Sequence, residues 1–194
     1  MLTHLLYLHG FRSSPQSIKA RWMADWVARH RPDLVWACPQ LPPSPAEALA
    51  GIRALTAGWP AATAGVIGSS LGGFYATIVA ESLGCKAVVV NPAVDPARDL
   101  AAYIGRQTMF HSAEQSFDFR ADYVDDLRAM TPPPRLEHPE NILAIVAKGD
   151  EVLDWREMTA RYARGPLKLV AGSDHGLSDF ALHVPDLLRH LQLA

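Results

Sequence analysis

Cysteine is scarce in this 194-residue chain: only Cys38 and Cys85, with no Cys-x-x-Cys pair. A disulfide framework and a cysteine-built zinc site are thereby excluded. No apolar run approaches the roughly 18 residues that a membrane helix needs. Residues 1–10 lack the basic start and long apolar stretch of a secretory signal, so the expectation is a soluble, cytoplasmic protein without a membrane span. An excess of charge of one sign is missing too. Eighteen Lys plus Arg stand interspersed against 20 Asp plus Glu, and no basic stripe offers itself to nucleic acid. Internal repeats and low-complexity tracts are absent as well. What is present is a globular mix, 49 % hydrophobic and 20 % charged, with enough apolar surface to offset chain entropy. The length suits one domain over residues 1–194.

Short apolar, β-branched runs at 5–8, 34–37, 65–68, 87–90, 142–147 and 167–171 read as six strands. Between them lie helical patterns. Over 17–30, Ile18, Trp22 and Trp26 stack at i, i+4 spacing. A second helix starts at Ser44 as N-cap, with Pro45 in the first helical position and Glu47 closing a capping box, and runs to about residue 57. Further helices are expected at 71–83 and 179–191. Strand, helix, strand, repeated, means parallel pairing with right-handed crossovers. The expected fold class is therefore α/β, a mostly parallel six-stranded sheet with helices on both faces. The 51 residues from 91 to 141 exceed what one crossover needs. They hold helical patterns at 96–104 and 121–130 and a turn at 131–134, and they predict a lid-like insertion over the carboxyl ends of the strands.

Chemistry concentrates at three strand ends. Gly68-Ser-Ser-Leu-Gly72 matches G-x-S-x-G between a strand and a helix, where a nucleophile elbow must sit. The sharp turn lifts the Ser70 hydroxyl clear of the sheet and puts the Leu71 amide at a helix N-terminus, which favours negative charge. A serine hydroxyl needs a base. Of eight histidines, His175 in Gly172-Ser-Asp-His-Gly176 follows the sixth strand at the ligand-binding edge. His30 and His190 sit on helix faces toward solvent, and His9 is expected to shape its loop. The base needs a carboxylate. Asp150 follows the fifth strand without a competing duty, whereas Asp154 with Glu157 reads as a helix N-cap and Asp174 points elsewhere. The chain order Ser70, Asp150, His175 is that of α/β-hydrolases. After the first strand, His9-Gly-Phe11 places the Phe11 amide beside that of Leu71 as a second oxyanion donor. Apolar pocket candidates are Phe11, Tyr103, Phe110, Phe117 and Phe119. Arg12 and His111 are candidates for substrate contact.

Tyr7-Leu-His-Gly-Phe-Arg-Ser-Ser-Pro15, Ala37-Cys-Pro-Gln-Leu-Pro42, Gly68-Ser-Ser-Leu-Gly-Gly-Phe74, Val90-Asn-Pro-Ala93, Gly149-Asp-Glu-Val-Leu-Asp154 and Gly172-Ser-Asp-His175 resemble small bacterial esterases of the YqiA/YcfP type. These are compact members of the α/β-hydrolase superfamily. The resemblance implies an intracellular serine esterase, or a thioesterase on acyl-CoA, with no cofactor and no metal. It supports Ser70 as nucleophile, Asp150 as acid and His175 as base. It departs at Arg12, where a small polar residue such as Asn is expected, and that bears on the substrate's head group. Three alternatives stay open. A thioesterase would be favoured by a basic rim of Arg12, Lys19 and Arg106. A non-catalytic binding module could keep the fold. A peptidase is the weakest, for want of an extra domain to hold a polypeptide. The substrate's acyl chain and the oligomeric state are left unassigned by the sequence, which names only a small-molecule ester or thioester as partner.

Overall fold

The structure, a computed structural model, describes residues 1–193. In chain order its elements are β1 (His4–Leu8), α1 (Ile18–His30), β2 (Val35–Ala37), α2 (Pro45–Thr56), β3 (Ala64–Ser69), α3 (Leu71–Leu83), β4 (Lys86–Val90) and α4 (Pro96–Leu100). There follow β5 (Gly105–Met109), β6 (Ser112–Phe119), α5 (Ala121–Met130), β7 (Ile142–Ala147), α6 (Trp155–Tyr162), β8 (Leu167–Val170) and α7 (Val184–His190).

Six strands pair in the order β2-β1-β3-β4-β7-β8, every neighbouring pair parallel. The helices that cross between them cover both faces, so both faces are apolar and successive residues enter opposite cores. Leu6, Leu8, Val66, Val89, Ala144 and Val146 pack with α2 and α3. Leu5, Tyr7, Ile67, Val88, Leu143 and Ile145 pack with Met23 and Val27 of α1 and Leu187 of α7. The register aligns Leu8 with Gly68, Ser69 with Val90, Val90 with Ile145 and Ala147 with Val170. The loops after β1, β3, β4, β7 and β8 therefore emerge together at one edge.

The six strands and the capped start of α2 lie where the sequence predicts them; the Ser44 hydroxyl accepts from the Glu47 amide at 3.3 Å. Three expectations need correction. The buried stripe of α1 is Ala20, Met23 and Val27, with Trp22 and Trp26 flanking it half-buried, while Ile18 is 86 % exposed. The last helix is broken into a short 3-10 turn at Phe180–Leu182 and α7, because Pro185 lacks the amide a continuous helix would need. The 91–141 insertion holds α4 and α5 but also an antiparallel hairpin, β5 with β6, that no sequence signal announced. Its strands are largely polar and its register shifts between Thr108 and Met109, so a clean two-residue alternation is lost. Among the described residues no helix is long and apolar enough to cross a membrane.

Candidate functional site

Ser70 joins β3 to α3 at φ 56°, ψ −121°, a conformation costing a non-glycine residue of order 1–3 kcal/mol. The surroundings hold it there. Its amide donates to the Val90 carbonyl at 3.0 Å, and its carbonyl accepts from the amides of Gly73 at 2.8 Å and Ala93 at 3.1 Å. A serine in the N-cap position ordinarily turns its hydroxyl onto the first helical turn. Here the hydroxyl makes no cap bond; Oγ lies 3.0 Å from Nε2 of His175.

His175 Nδ1 in turn lies 2.8 Å from Asp150 Oδ2, and the Asp150 side chain is wholly buried. The other oxygen, Oδ1, accepts from the Val152 and Leu153 amides, each at 2.8 Å. An ionised carboxylate only accepts, so the proton sits on Nδ1 and leaves Nε2 free to accept from Ser70. Two strand-end loops must touch for this to happen. They touch at Gly149, where an added Cβ would stand 2.0 Å from the Ser173 carbonyl oxygen. Asp154 caps α6 through the Arg156 amide at 2.9 Å, and Asp174 caps Ser178, both as expected.

The loop carrying His175 is also clasped from behind, by a residue the sequence did not single out. Asn91 is fully buried, at φ 41° just past β4. Its Nδ2 donates to the Asp174 and His175 carbonyls, both at 3.0 Å, while its Oδ1 accepts from the Ala147 amide at 2.8 Å. Glu151 accepts from the His175 amide at 2.9 Å, and Lys19 reaches the Gly176 carbonyl. An asparagine directly after an apolar strand and before a proline was the available signal. Asn91→Ala is expected to lower stability by about 3 kcal/mol, because it strands one buried amide and two half-buried carbonyls and forces alanine into a left-handed conformation. The midpoint of denaturant unfolding measures this.

On the β1 side, His9 has the loop-shaping role expected of it. The Leu41 amide donates to its Nε2 at 3.0 Å, so the proton is on Nδ1, which donates to the Gly10 carbonyl at 2.9 Å. This fixes the chain leading to Phe11, whose amide has no hydrogen-bond partner among the described residues. Leu71 opens α3, where the amide has no intrahelical acceptor. Burial lowers the pKa of His9, and also that of His190, which is not the solvated residue expected: it is half-buried, with Nε2 2.8 Å from the Asn141 carbonyl. The unfolded chain thus takes up protons that the folded one resists, and stability rises with pH in that window. Acidification below the ordinary histidine value of about 6.5 should destabilise by up to roughly 1.4 kcal/mol per pH unit per histidine until each folded-state pKa is reached. Unfolding curves between pH 7 and 5 check this, and His190→Gln should flatten the slope.

Two cavities flank Ser70. One, of about 260 Å³, is lined by Ser70 and His175 with Tyr103, Phe110 and Leu153. The other, of about 520 Å³, runs past His9, Leu41, Tyr75 and Phe117. Phe11, Arg12 and Leu71 line both. Of the residues expected near the substrate, Arg12, Tyr103, Phe110 and Phe117 are therefore brought to the site. His111 lines neither cavity; it is exposed on the hairpin, 3.2 Å from Gln115 of the larger cavity and near enough to His9 to disfavour that residue's charge. Phe119 is buried behind Phe11, its ring centroid 5.1 Å away. Lys19 and Arg106 line neither cavity, though both stand beside the site: Lys19 donates to the carbonyl of Gly176, next to His175, and Arg106 to Ser116, which lines the larger cavity. Burial pushes the thiols of Cys38 and Cys85 up to about 11, so neither supplies a thiolate at neutral pH.

With this geometry in view, comparison with solved structures gives the class. Over 97 % of its length the chain superposes on 90 % of mouse alpha/beta hydrolase domain-containing protein 10 (TM-score 0.72, 12 % identity). Over 98 % it matches 94 % of a chain from the pair LipS and LipT, two metagenome-derived lipolytic enzymes (TM-score 0.71, 21 % identity). Over 96 % it matches 81 % of the Pyrococcus furiosus esterase PF2001 (TM-score 0.59, 16 % identity). At these identities the likeness carries the fold, and the fold is that of the α/β-hydrolases. More narrowly, the chain belongs to the uncharacterised protein family UPF0227, whose model matches residues 4–192. This is the YqiA/YcfP-like family that its motifs resemble.

Proposed function

We propose that this chain is a serine hydrolase acting on small carboxylic esters through an acyl-enzyme on Ser70. Neutral His175 Nε2 takes the hydroxyl proton as Oγ attacks the ester carbonyl carbon. The Phe11 and Leu71 amides bind the oxyanion, and Asp150 holds the Nδ1–H tautomer and stabilises the imidazolium. Collapse of the tetrahedral adduct breaks the ester C–O bond, and His175 returns its proton to the leaving alcohol. Water, deprotonated by His175, then attacks the acyl-enzyme; the second adduct releases the acid and restores Ser70.

The observation that carries this proposal is the unbroken chain from a buried carboxylate through an imidazole to a serine hydroxyl, at 2.8 and 3.0 Å, on a backbone-strained turn. The esterase and lipolytic activities named for two fold neighbours agree with it. The thioesterase alternative would use the same three side chains; of the cations of its basic rim, Arg12 lines both cavities, while Lys19 and Arg106 contact residues beside them. The test is a fluorophosphonate probe, with the adduct mapped by mass spectrometry. Labelling confined to Ser70 and absent from Ser70→Ala supports the proposal. A folded sample that takes no label overturns it in favour of a non-catalytic binding module.

A further inference from the structure

Arg12 has no role in the chemistry just described, yet the fold goes to some length to fix it. It occupies a left-handed conformation, φ 59°. Its carbonyl accepts from the Phe110 amide at 2.9 Å and its Nε donates to the Thr108 carbonyl at 2.6 Å, so the hairpin grips both ends of the residue. The guanidinium lies over the Phe110 ring, 4.5 Å from its centroid. Among the described residues no carboxylate lies within ion-pairing distance of Arg12, and neither terminal amine of its guanidinium has a hydrogen-bond partner. An arginine held through Nε and through its face, with its outer fork unengaged, presents the two parallel donors that match a pair of anionic oxygens.

The position of that fork defines what it would meet. Arg12 and Phe110 both line the smaller cavity, the one that contains Ser70 and His175. Arg12 also lines the larger cavity, whose lining includes Glu114, but the ring its guanidinium stacks on, Phe110, is 73 % exposed and lines only the smaller of the two. The other charged group of that cavity, Asp99, is already engaged by Arg98 through two bonds at 2.9 and 2.7 Å and does not compete for Arg12. The remaining lining is mainly apolar, with Leu100, Tyr103 and Leu153 prominent.

We infer that Arg12 is a specificity-determining residue: the substrate carries a carboxylate or phosphate on the part that occupies the smaller cavity, separated from the scissile carbonyl by a short apolar spacer, and Arg12 binds that anion bidentately. The inference rests on Ser70 being the nucleophile and deepens it into a substrate class, an acidic ester.

The test compares esters in pairs that differ only in charge. One pair is the mono-4-nitrophenyl ester of glutaric acid and its methyl-capped neutral form, with the anion on the acyl side. A second is 4-acetoxybenzoate and its methyl ester, with the anion on the leaving group. A third, 4-acetoxyphenyl phosphate and its neutral dimethyl-capped form, separates phosphate from carboxylate. For at least one pair the wild type should favour the anion about tenfold or more in kcat/KM, as two charge-assisted bonds would give. Arg12→Gln should bring that ratio to within about threefold of unity, and Arg12→Lys, which keeps the charge but not the fork, should fall between. Ratios near one for all wild-type pairs, or a preference that survives Arg12→Gln, overturn the inference. Hydrolysis of the neutral esters reports on Ser70 separately. If no ester were turned over, calorimetric binding of glutaric acid monoanilide against its methyl-capped form would decide: a tenfold preference lost in Arg12→Gln supports the anion site, and equal affinities refute it.

Discussion

Ser70→Ala is expected to reduce kcat on a neutral ester such as 4-nitrophenyl butyrate by about 10⁴–10⁶-fold, the range seen when a triad nucleophile is removed. The size of the effect follows from what remains. Without Oγ, His175 and Asp150 still form their 2.8 Å pair and Phe11 and Leu71 still line both cavities, so on the proposed mechanism the residual rate would come from water attack assisted by these groups. Folding should be unaffected, because the Ser70 hydroxyl caps no helix and its structural bonds are all backbone. The variant is thus a clean measure of nucleophilic catalysis: a loss below tenfold with an unchanged unfolding midpoint would mean that another group carries the reaction. Steady-state rates with active-site titration of the wild type supply the comparison.

The second large effect falls on stability. An added Cβ at Gly72 would stand 2.0 Å from the Leu8 carbonyl oxygen and 2.6 Å from that of His9. Both are backbone atoms of a central strand and its exit loop, so no side-chain rotation relieves the overlap. Helix α3 would have to retreat from β1 by more than an ångström, opening the core where Phe74, Ala76 and Ala80 pack. Overpacking at a buried backbone contact belongs to the most damaging class of substitution. Gly72→Ala should destabilise by at least about 4 kcal/mol, which for a domain of this length lowers Tm by roughly 10 °C or more. Thermal unfolding followed by circular dichroism measures it. The same retreat would pull Leu71 away from Phe11, so any folded fraction should also react slowly with a fluorophosphonate.

The parallel sheet and the positions of Ser70, Asp150 and His175 were legible in the sequence for a common reason. Strands buried on both faces are written as uninterrupted apolar runs, and the chemistry of this topology sits at their carboxyl ends. The role of Asn91 was not legible, although its place between an apolar strand and a proline marks it, because that role lies in three hydrogen bonds to chain segments 56 to 84 residues away. The β5–β6 hairpin escaped because its residues are mostly half-exposed and polar, so neither periodicity nor a turn motif distinguished it from loop. Once 105–119 folds as a ribbon, His111 falls at its turn, exposed beside Gln115, which lines the larger cavity. The i, i+4 spacing of Ile18, Trp22 and Trp26 identifies a stripe but not which stripe meets the sheet, and Ile18 stays exposed while Met23 and Val27 are buried.

Arg12 ties the hairpin to the loop that carries the Phe11 amide, through its own carbonyl and its Nε. Hairpin and loop are therefore linked mechanically. If the hairpin swings outward to widen the entrance, it either breaks both bonds or drags residues 11 and 12 with it. In the second case the amide pair that would receive the developing negative charge comes apart while the entrance is open and reassembles when it shuts. Access and reactivity would then be mutually exclusive states of one moving part, with exposure of Phe110 and reactivity of Ser70 changing in opposite directions.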